Sequence, residues 1–455
     1  MSLDNLPVEW LSLPIEKVAE VKGGKRLPKG KTFSSEKTKH PYIRVTDMGN
    51  GSVDLSDLRY IDEETYQHIS NYIISIDDLY ISIAGTIGLV GSIPDCLDGA
   101  NLTENAAKIC NLQGIERPYL KYVLNSQIAI DQFDDKVTSS GQPKLALFRI
   151  RDCRFPYPPL AEQQEIVRQL DMMLAQVEQI KARLDAIPAI LKKFRQSVLE
   201  SYFNNLASVQ QVNLDDLVVS IDQGWSPKCL NTPASAEQWG VIKTSAIQPL
   251  YFDASENKEL PSNLKPREAL SLISGDVLIT RAGPRARCGV TCIVDKDYDN
   301  LMICDKVYRV RCDSKKISAD YLNLYLNSLT GLSLIEKMKT GSSESGMNLT
   351  QSKFKELVIP LVSLKQQLAF AKDIKKFFQL ANHIEETVQS AQKRVNLLTQ
   401  SILAKAFSGE LTAEWREQHQ ELITGVNSAE SLLAKIQAER EASKSAKKTR
   451  KKKEV

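Results

Sequence analysis

The sequence predicts an α+β chain in which two similar mixed α/β domains are separated by two long helices forming an antiparallel coiled coil, the whole a pseudo-two-fold internal repeat. Two observations carry this. The text repeats itself: Gln196-Ser197-Val198-Leu199 ending at Phe203 returns as Gln400-Ser401-Ile402-Leu403 ending at Phe407, and Pro156–Gln163 falls on Pro360–Gln367 in the same register. Two kinds of composition also alternate, β-rich and helical. A period near two hundred residues is too long for a solenoid, whose units run to about 20–50 residues. It marks a duplicated domain-plus-helix unit.

The β-rich segments are residues 1–155 and 208–359. Short runs such as Tyr42–Val45, Leu79–Ile83, Val277–Thr280 and Val307–Val310 are set off by Gly, Pro, Asn and Asp, as strands between turns are. Helical stretches, Tyr119 to Phe133 and Ala319 to Met338, interrupt them. The fainter repeat here pairs Asp78–Ile81 and Ala84-Gly85 with Asp276–Ile279 and Ala282-Gly283, and Val18, Val21 and Gly24 with Val218, Ile221 and Gly224.

The helical segments are 156–207 and 360–411. Apolar residues recur in steps of three and four at Ile166, Leu170, Leu174, Val177, Ile180, Leu184, Ile187, Leu191, Phe194 and Val198, and again from Phe370 and Ile374 to Leu398 and Ile402. Such a pattern makes a coiled-coil seam, about 60 Å long at 1.5 Å per residue. Pro188 lies within the first rod and is expected to bend it locally. Residues 412–455 form a basic tail, expected to be disordered at its end. From Arg440 onward it holds eight Lys/Arg against two Glu, leaving 51 basic and 54 acidic residues elsewhere. Any nucleic acid must therefore meet local patches rather than a basic surface.

No apolar run is long enough to span a bilayer, and the N-terminal stretch is polar and broken by Pro7 and Pro14, unlike a secretory leader. The eight cysteines are scattered, as in a reducing compartment. The expectation is a cytoplasmic protein with no membrane partner. Motifs for chemistry are missing or broken. Tyr157-Pro158-Pro159-Leu160 lacks the amide and the aromatic of an adenine-methyltransferase tetrapeptide. Gly24 and Gly30-Lys31-Thr32 are separated by five residues where a phosphate loop needs four. Cys288, Cys292, Cys304 and Cys312 match no standard zinc knuckle and sit in β-rich text, where cysteine is usually core. His40, His68, His383 and His419 form no cluster in sequence.

The layout resembles the specificity subunit of type I restriction–modification enzymes along essentially the whole chain, most specifically in Pro156–Gln163, Ile166–Phe203 and Val395–Thr412. The resemblance implies two target-recognition domains reading the halves of a split site in double-stranded DNA. The helices would serve as spacer and as docking surface for two methyltransferase subunits, and two motor-nuclease subunits would join. The chain itself would be non-catalytic and bind no cofactor, with S-adenosylmethionine, ATP and Mg on the partners. The second helix entry departs from the pattern, Val362-Ser363 replacing Pro158-Pro159, which leaves its geometry in question.

Basic and polar loops are the candidate DNA contacts, because Arg fits guanine, Gln fits adenine and Lys meets phosphate. In the first domain these are Lys22, Lys25, Arg26, Lys29 and Lys31, then Ser139, Gln142 and Lys144. In the second, Arg281, Arg285 and Arg287 are expected to place three guanidiniums on one turn, with Ser342 and Ser345 on the loop answering Ser139–Gln142. Two other readings stay open: a recognition module of a differently organised restriction–methylation system, and a coiled-coil adaptor that binds no DNA.

If the rods act as a ruler, the unread gap between half-sites is fixed, with half-site centres about 10–10.5 bp apart when both domains enter the major groove from one face. Inserting four residues after Glu385 adds about 6 Å and about 40° of rotation. The preferred gap should lengthen, or binding should be lost, in competition assays with half-sites at varied spacing. Unchanged preference for the original spacing would rule out the rods as ruler.

Overall fold

The computed structural model describes residues 3, 5–49, 51–134, 144–206, 208–341 and 343–453, with side chains to residue 442. By its contacts the chain divides into two units, Met1–Arg183 with Ala391–Val455, and Leu184–Ser390.

In the first unit, Leu11–Pro14 pairs antiparallel with Arg154–Tyr157, so the domain closes where it opens. Two four-stranded sheets lie between. One has the order Glu20–Gly23, Ala106–Cys110, Leu79–Ser82, Val90–Ser92, all antiparallel. The other runs Arg59–Tyr60, Pro41–Ile43, Ala100–Leu102, Ile73–Ile74, with Pro41–Ile43 and Ala100–Leu102 parallel. The strand Leu79–Ser82 explains its own sequence. Side chains alternate across a strand; Leu79 and Ile81 enter the core under the helices, whereas Tyr80 enters a second core with Ile43 and Leu102. Buried on both faces, it reads as a continuous apolar run.

The second unit repeats this plan. Gln211–Asn213 pairs with Val358–Pro360, and the two sheets are Val218–Gln223, Val307–Cys312, Val277–Thr280, Thr291–Ile293 and Asn257–Glu259, Gly240–Ile242, Tyr298–Met302, Ser271–Leu272. Again one pair, Gly240–Ile242 with Tyr298–Met302, is parallel. Val277 and Ile279 face one core, Leu278 the other.

Each helical stretch expected inside the domains is two helices, Arg117–Leu124 with Gln127–Asp134 and Ala319–Leu326 with Leu329–Met338. The break is local chemistry repeated. Asn125 and Asn327 turn their amides back to the carbonyls of Lys121 and Asn323, and the Ser126 and Ser328 hydroxyls donate to Val123 O and Tyr325 O. Those side-chain bonds compete with the helical ladder.

The long helices span Leu160–Phe203 and Leu364–Ser408, and the first continues through Pro188. In the first unit Ile166 and Leu170 share a core with Leu403, Ala406 and Phe407. In the second, Phe194 meets Phe377, Arg195 pairs with Glu385 at 2.9 Å, and Tyr202 and Phe203 meet Phe370. Partner numbers fall as the first helix advances, so the packing is antiparallel. The seam is not uniformly covered: Ile180 and Leu398 are 45% and 44% exposed. Two helices alone enclose only a narrow stripe.

Both helix entries are held by one glutamine. Gln163 Oε1 accepts from Glu116 N while its Nε2 donates to Pro158 O; Gln367 does the same with Ser318 N and Val362 O. Replacing Pro158-Pro159 by Val362-Ser363 thus leaves the entry intact, and the Ser363 hydroxyl bonds Gln366 instead.

The C-terminal segment forms Ala413–Gln418, Gln420–Ile423 and Ala429–Lys453. Ile423, Ala429 and Ile436 are buried, and Arg440 donates to Gln113 Oε1 and Glu16 O. Where the sequence expects a tail without fixed structure at its end, the backbone stays helical to Lys453. No helix among the described residues is long and apolar enough to cross a membrane.

Glu162, fully buried, ties this unit together. Its carboxylate accepts from Trp10 Nε1 at 2.7 Å, Thr412 Oγ1 at 2.7 Å and Arg416 Nε at 2.9 Å. Its counterpart Gln366 is exposed. Glu162→Ala should therefore destabilise the first unit by about 3–5 kcal/mol, the usual effect of stranding a buried partner. Gln366→Ala should stay within about 0.5 kcal/mol. Hydrogen exchange, which reads the units separately, checks both; equal effects would mean that Glu162 is not the tie.

Candidate nucleic-acid interface

Four segments converge at one edge of each domain, held by matching bonds. In the first, Gly24 crosses the second sheet so closely that a Cβ there would lie 2.1 Å from Thr103 O. Gly24 N donates to Ala106 O, Lys25 N donates to Leu102 O at 2.8 Å, and Tyr42 Oη donates to Lys25 O. The hairpin after Leu79–Ser82 is braced by Ser82, whose hydroxyl donates to Thr86 O and accepts from Leu89 N. Ile83 N donates to Asn105 O, and Ala84 bridges to Lys144. The glycine loop, the hairpin 83–89, the turn 103–105 and the bridge at Lys144 thus form one surface.

The second domain reproduces it. A Cβ on Gly224 would lie 2.1 Å from Ile303 O, and Trp225 N donates to that same carbonyl at 3.0 Å. Thr280 takes the place of Ser82, its hydroxyl donating to Arg287 O and accepting from Val290 N. Arg281 N donates to Lys306 O, and Ala282–Gly283 pairs with Met347–Asn348.

The candidate residues fall on this framework unevenly. Lys25 is exposed with Nζ 5.4 Å from the Tyr72 ring centroid. Arg26 is exposed and pairs with Glu104 at 2.6 Å; burial works against ionisation of Glu104, but hydrogen bonds from Arg26 and Thr103 prevail and lower its pKa. Lys29 and Lys144 are exposed without an ion pair among the described residues. Lys22 belongs to the strand Glu20–Gly23, not to the loop, and pairs with Glu20, which raises its pKa. Lys31 is raised by its hydrogen bond to Glu64. Ser139, Gln142 and Ser342 lie outside the described residues, and Ser345 is exposed beside Ser343.

The three arginines do not share one open turn. Arg287 is drawn inward, donating to Ile247 O and Thr244 O and to Gln248, and so anchors the hairpin Ile247–Gln248 with Tyr251–Phe252. Arg281 lies over Tyr308 and donates to Asp305 O. Arg285 is exposed but forks between Glu336 and Glu344 at 2.6 and 3.0 Å, both hydrogen bonds raising its pKa. Guanidiniums crowded in sequence separate because each finds a different acceptor.

Cys288, Cys292 and Cys304 are core residues, and burial pushes the Cys304 thiol up to about 11. A thiol held neutral in this way is a poor nucleophile. Among the described residues no group of His, Cys, Asp and Glu could hold a metal ion. The sequence reading missed Tyr72, Thr86, Asn105, Trp225 and Arg267. Only pairing Gly24 with Gly224 could have drawn attention to Trp225.

The family model for the type I restriction modification DNA specificity domain matches residues 7–189 and 226–391, once in each copy of the repeat. The chain belongs to this family of DNA specificity subunits. It is 31% identical to the EcoKI specificity subunit of Escherichia coli K12, covering 99% of this chain and 100% of that relative. It is 30% identical to the EcoBI specificity subunit of Escherichia coli, over 97% of this chain and 95% of the relative. Among solved structures, a chain from a type I R-M system superposes with TM-score 0.69 at 18% identity, covering 89% of this chain and 99% of that one. The HsdS subunit of Thermoanaerobacter tengcongensis gives 0.55, also at 18%, over 89% and 98%. At that identity the superpositions speak for the fold of the family.

Gly24 and Gly49 separate crowding from loss of glycine as such, for nothing lies within 4 Å of a Cβ on Gly49. Gly24→Ala should cost about 1–3 kcal/mol, as overpacking does, and Gly49→Ala much less. Thermal unfolding of the two variants checks this; an equal loss would place the constraint elsewhere.

Proposed function

We propose that this chain is the sequence-specific DNA-binding subunit of a type I restriction–modification complex, reading a bipartite site with one domain for each half. The observation that supports it most is the repeated edge: in both domains a locked glycine loop, a hydroxyl-braced hairpin and two further segments meet on one surface, with exposed side chains that differ between the copies. Backbone contacts hold the frame; the side chains on it are free to differ. Double-stranded DNA offers two such surfaces a matching pair of half-sites, and Lys25, Arg26, Lys29 and Lys144 suit its phosphates.

In this reading the chain scaffolds two methyltransferase subunits and, in the restricting complex, two motor-nuclease subunits. The methyltransferases flip and methylate an adenine in each half, since a stacked base cannot be reached. S-adenosylmethionine, ATP and Mg belong to those partners. This chain contributes recognition rather than chemistry. Its buried carboxylates are engaged in holding the fold: Asp276 with Arg311 at 2.9 Å, Asp78 with Lys108 at 2.9 Å, Glu162 with Arg416.

Because each domain closes on its own strand pair, Leu11–Pro14 with Arg154–Tyr157 in the first, exchange of residues 1–155 for those of another family member should alter one half-site only. Sequencing methylated adenines in cells carrying the chimera and its methyltransferase reads the result. Bases altered in both halves would count against independent reading, and no discrete motif in the parent would count against the DNA role itself.

A further inference from the structure

The second domain contains six arginines, Arg267, Arg281, Arg285, Arg287, Arg309 and Arg311. Five are committed. Arg281 and Arg287 donate to backbone carbonyls, Arg285 to Glu336 and Glu344, Arg311 to Asp276, and Arg309 to Ser271 O, Ala269 O and Asp222. Arg267 is exposed, and its guanidinium has no hydrogen-bond or ion-pair partner among the described residues. It lies instead over the half-buried Trp225 ring, 4.3 Å from the centroid.

That placement follows from the repeat. Trp225 occupies the position of Lys25, directly after the locked glycine, and the two backbones are fixed alike, by N–H bonds to Ile303 O and Leu102 O. In the first domain the cation is on the glycine loop and the aromatic, Tyr72, enters the edge strand Ile73–Ile74. In the second the aromatic is on the glycine loop and the cation, Arg267, comes from the segment entering Ser271–Leu272. One cation–aromatic pair therefore stands at each edge with its members exchanged.

We propose that Arg267, held on Trp225, is the base-reading arginine of the second domain and selects a guanine in its half-site. This rests on the DNA-recognition reading above. A guanidinium lying over indole spends no hydrogen bond on that contact, so its donors stay free and it loses little freedom when they engage, which suits bidentate contact with guanine O6 and N7. An arginine already satisfied by carbonyls or carboxylates would have to break those bonds first. Lys25 over Tyr72, a point charge on a flexible stem, offers the first half-site no such fork.

The test uses the full chain with its methyltransferase partners, comparing wild type, Arg267→Lys and Arg267→Gln by sequencing methylated adenines and by competition between duplexes differing at single base pairs. Both substitutions are at the surface, and equal thermal unfolding confirms that the fold survives. The expected result is that one G·C position, in one half-site only, loses discrimination by about tenfold to a hundredfold in both variants, while the other half is read as before. Weaker binding spread evenly over all positions would make Arg267 a phosphate contact and overturn the proposal, as would an unchanged motif or changes in both halves. A wild-type complex without a bipartite motif would instead bring down the recognition reading, and that result is visible without the variants.

Discussion

Everything at the candidate interface depends on two places where backbone passes backbone without room for a side chain. Gly24 and Gly224 bring the end of one sheet against the carbonyls of the other, where a Cβ would sit 2.1 Å from oxygen. The crossing fixes where the next residue begins, Lys25 in one domain and Trp225 in the other. The two cores of each domain are joined elsewhere, by the strands Leu79–Ser82 and Val277–Thr280, which feed alternate side chains to each. A loop rooted in hydrogen bonds between main chains keeps its course whatever side chains it carries, because those bonds do not depend on them.

The second domain uses its arginines mainly as internal ties. Arg309, 3% exposed, joins the two sheets through Ser271 O, Ala269 O and Asp222, while Lys108 in the first domain pairs with Asp78 from the equivalent place. Arg287 secures a hairpin by the same means. A guanidinium has five donors in a fixed fork and can hold several carbonyls at once where lysine holds them singly. The residue type that reads guanine best is thus also the best internal fastener, and abundance of arginine in a segment does not locate the reading surface.

The sequence was most legible where the physics is periodic. Both long helices, their antiparallel pairing and the alternation of domain types follow from apolar steps of three and four and from a repeated register, and the helices Leu160–Phe203 and Leu364–Ser408 lie inside the segments expected, 156–207 and 360–411. Within the domains, strands buried on both faces were visible as apolar runs, but the break between paired helices was not, because Asn125 and Ser126 act through side-chain bonds that leave no period. The site was least legible. Charge on a loop was readable; its partner was not. Arg26 meets Glu104 seventy-eight positions away, and Arg285 meets Glu336 and Glu344 fifty-one and fifty-nine positions away. Whether an arginine is free is a property of its neighbours in space, and single-sequence reading has no access to those.

The two domains also indicate how one scaffold accommodates different half-sites. What repeats is main-chain geometry and the groups that fasten it: the crossing glycines, Ser82 and Thr280 under their hairpins, Asn125 and Asn327 at the helix breaks, Gln163 and Gln367 at the helix entries. What differs lies at the edge, Lys25 against the half-buried Trp225 and Tyr72 against Arg267. The exchange of cation and aromatic across the same gap is the clearest instance, because the contact survives while the side chain offered to solvent changes from a lone ammonium to a donor fork. Since the fasteners bond to backbone, substitutions at the edge need not disturb them, and recognition can change while the fold and the helical frame stay as they are. Stability and specificity are carried by different atoms, which is the physical condition for a domain to acquire a new half-site without first losing its structure.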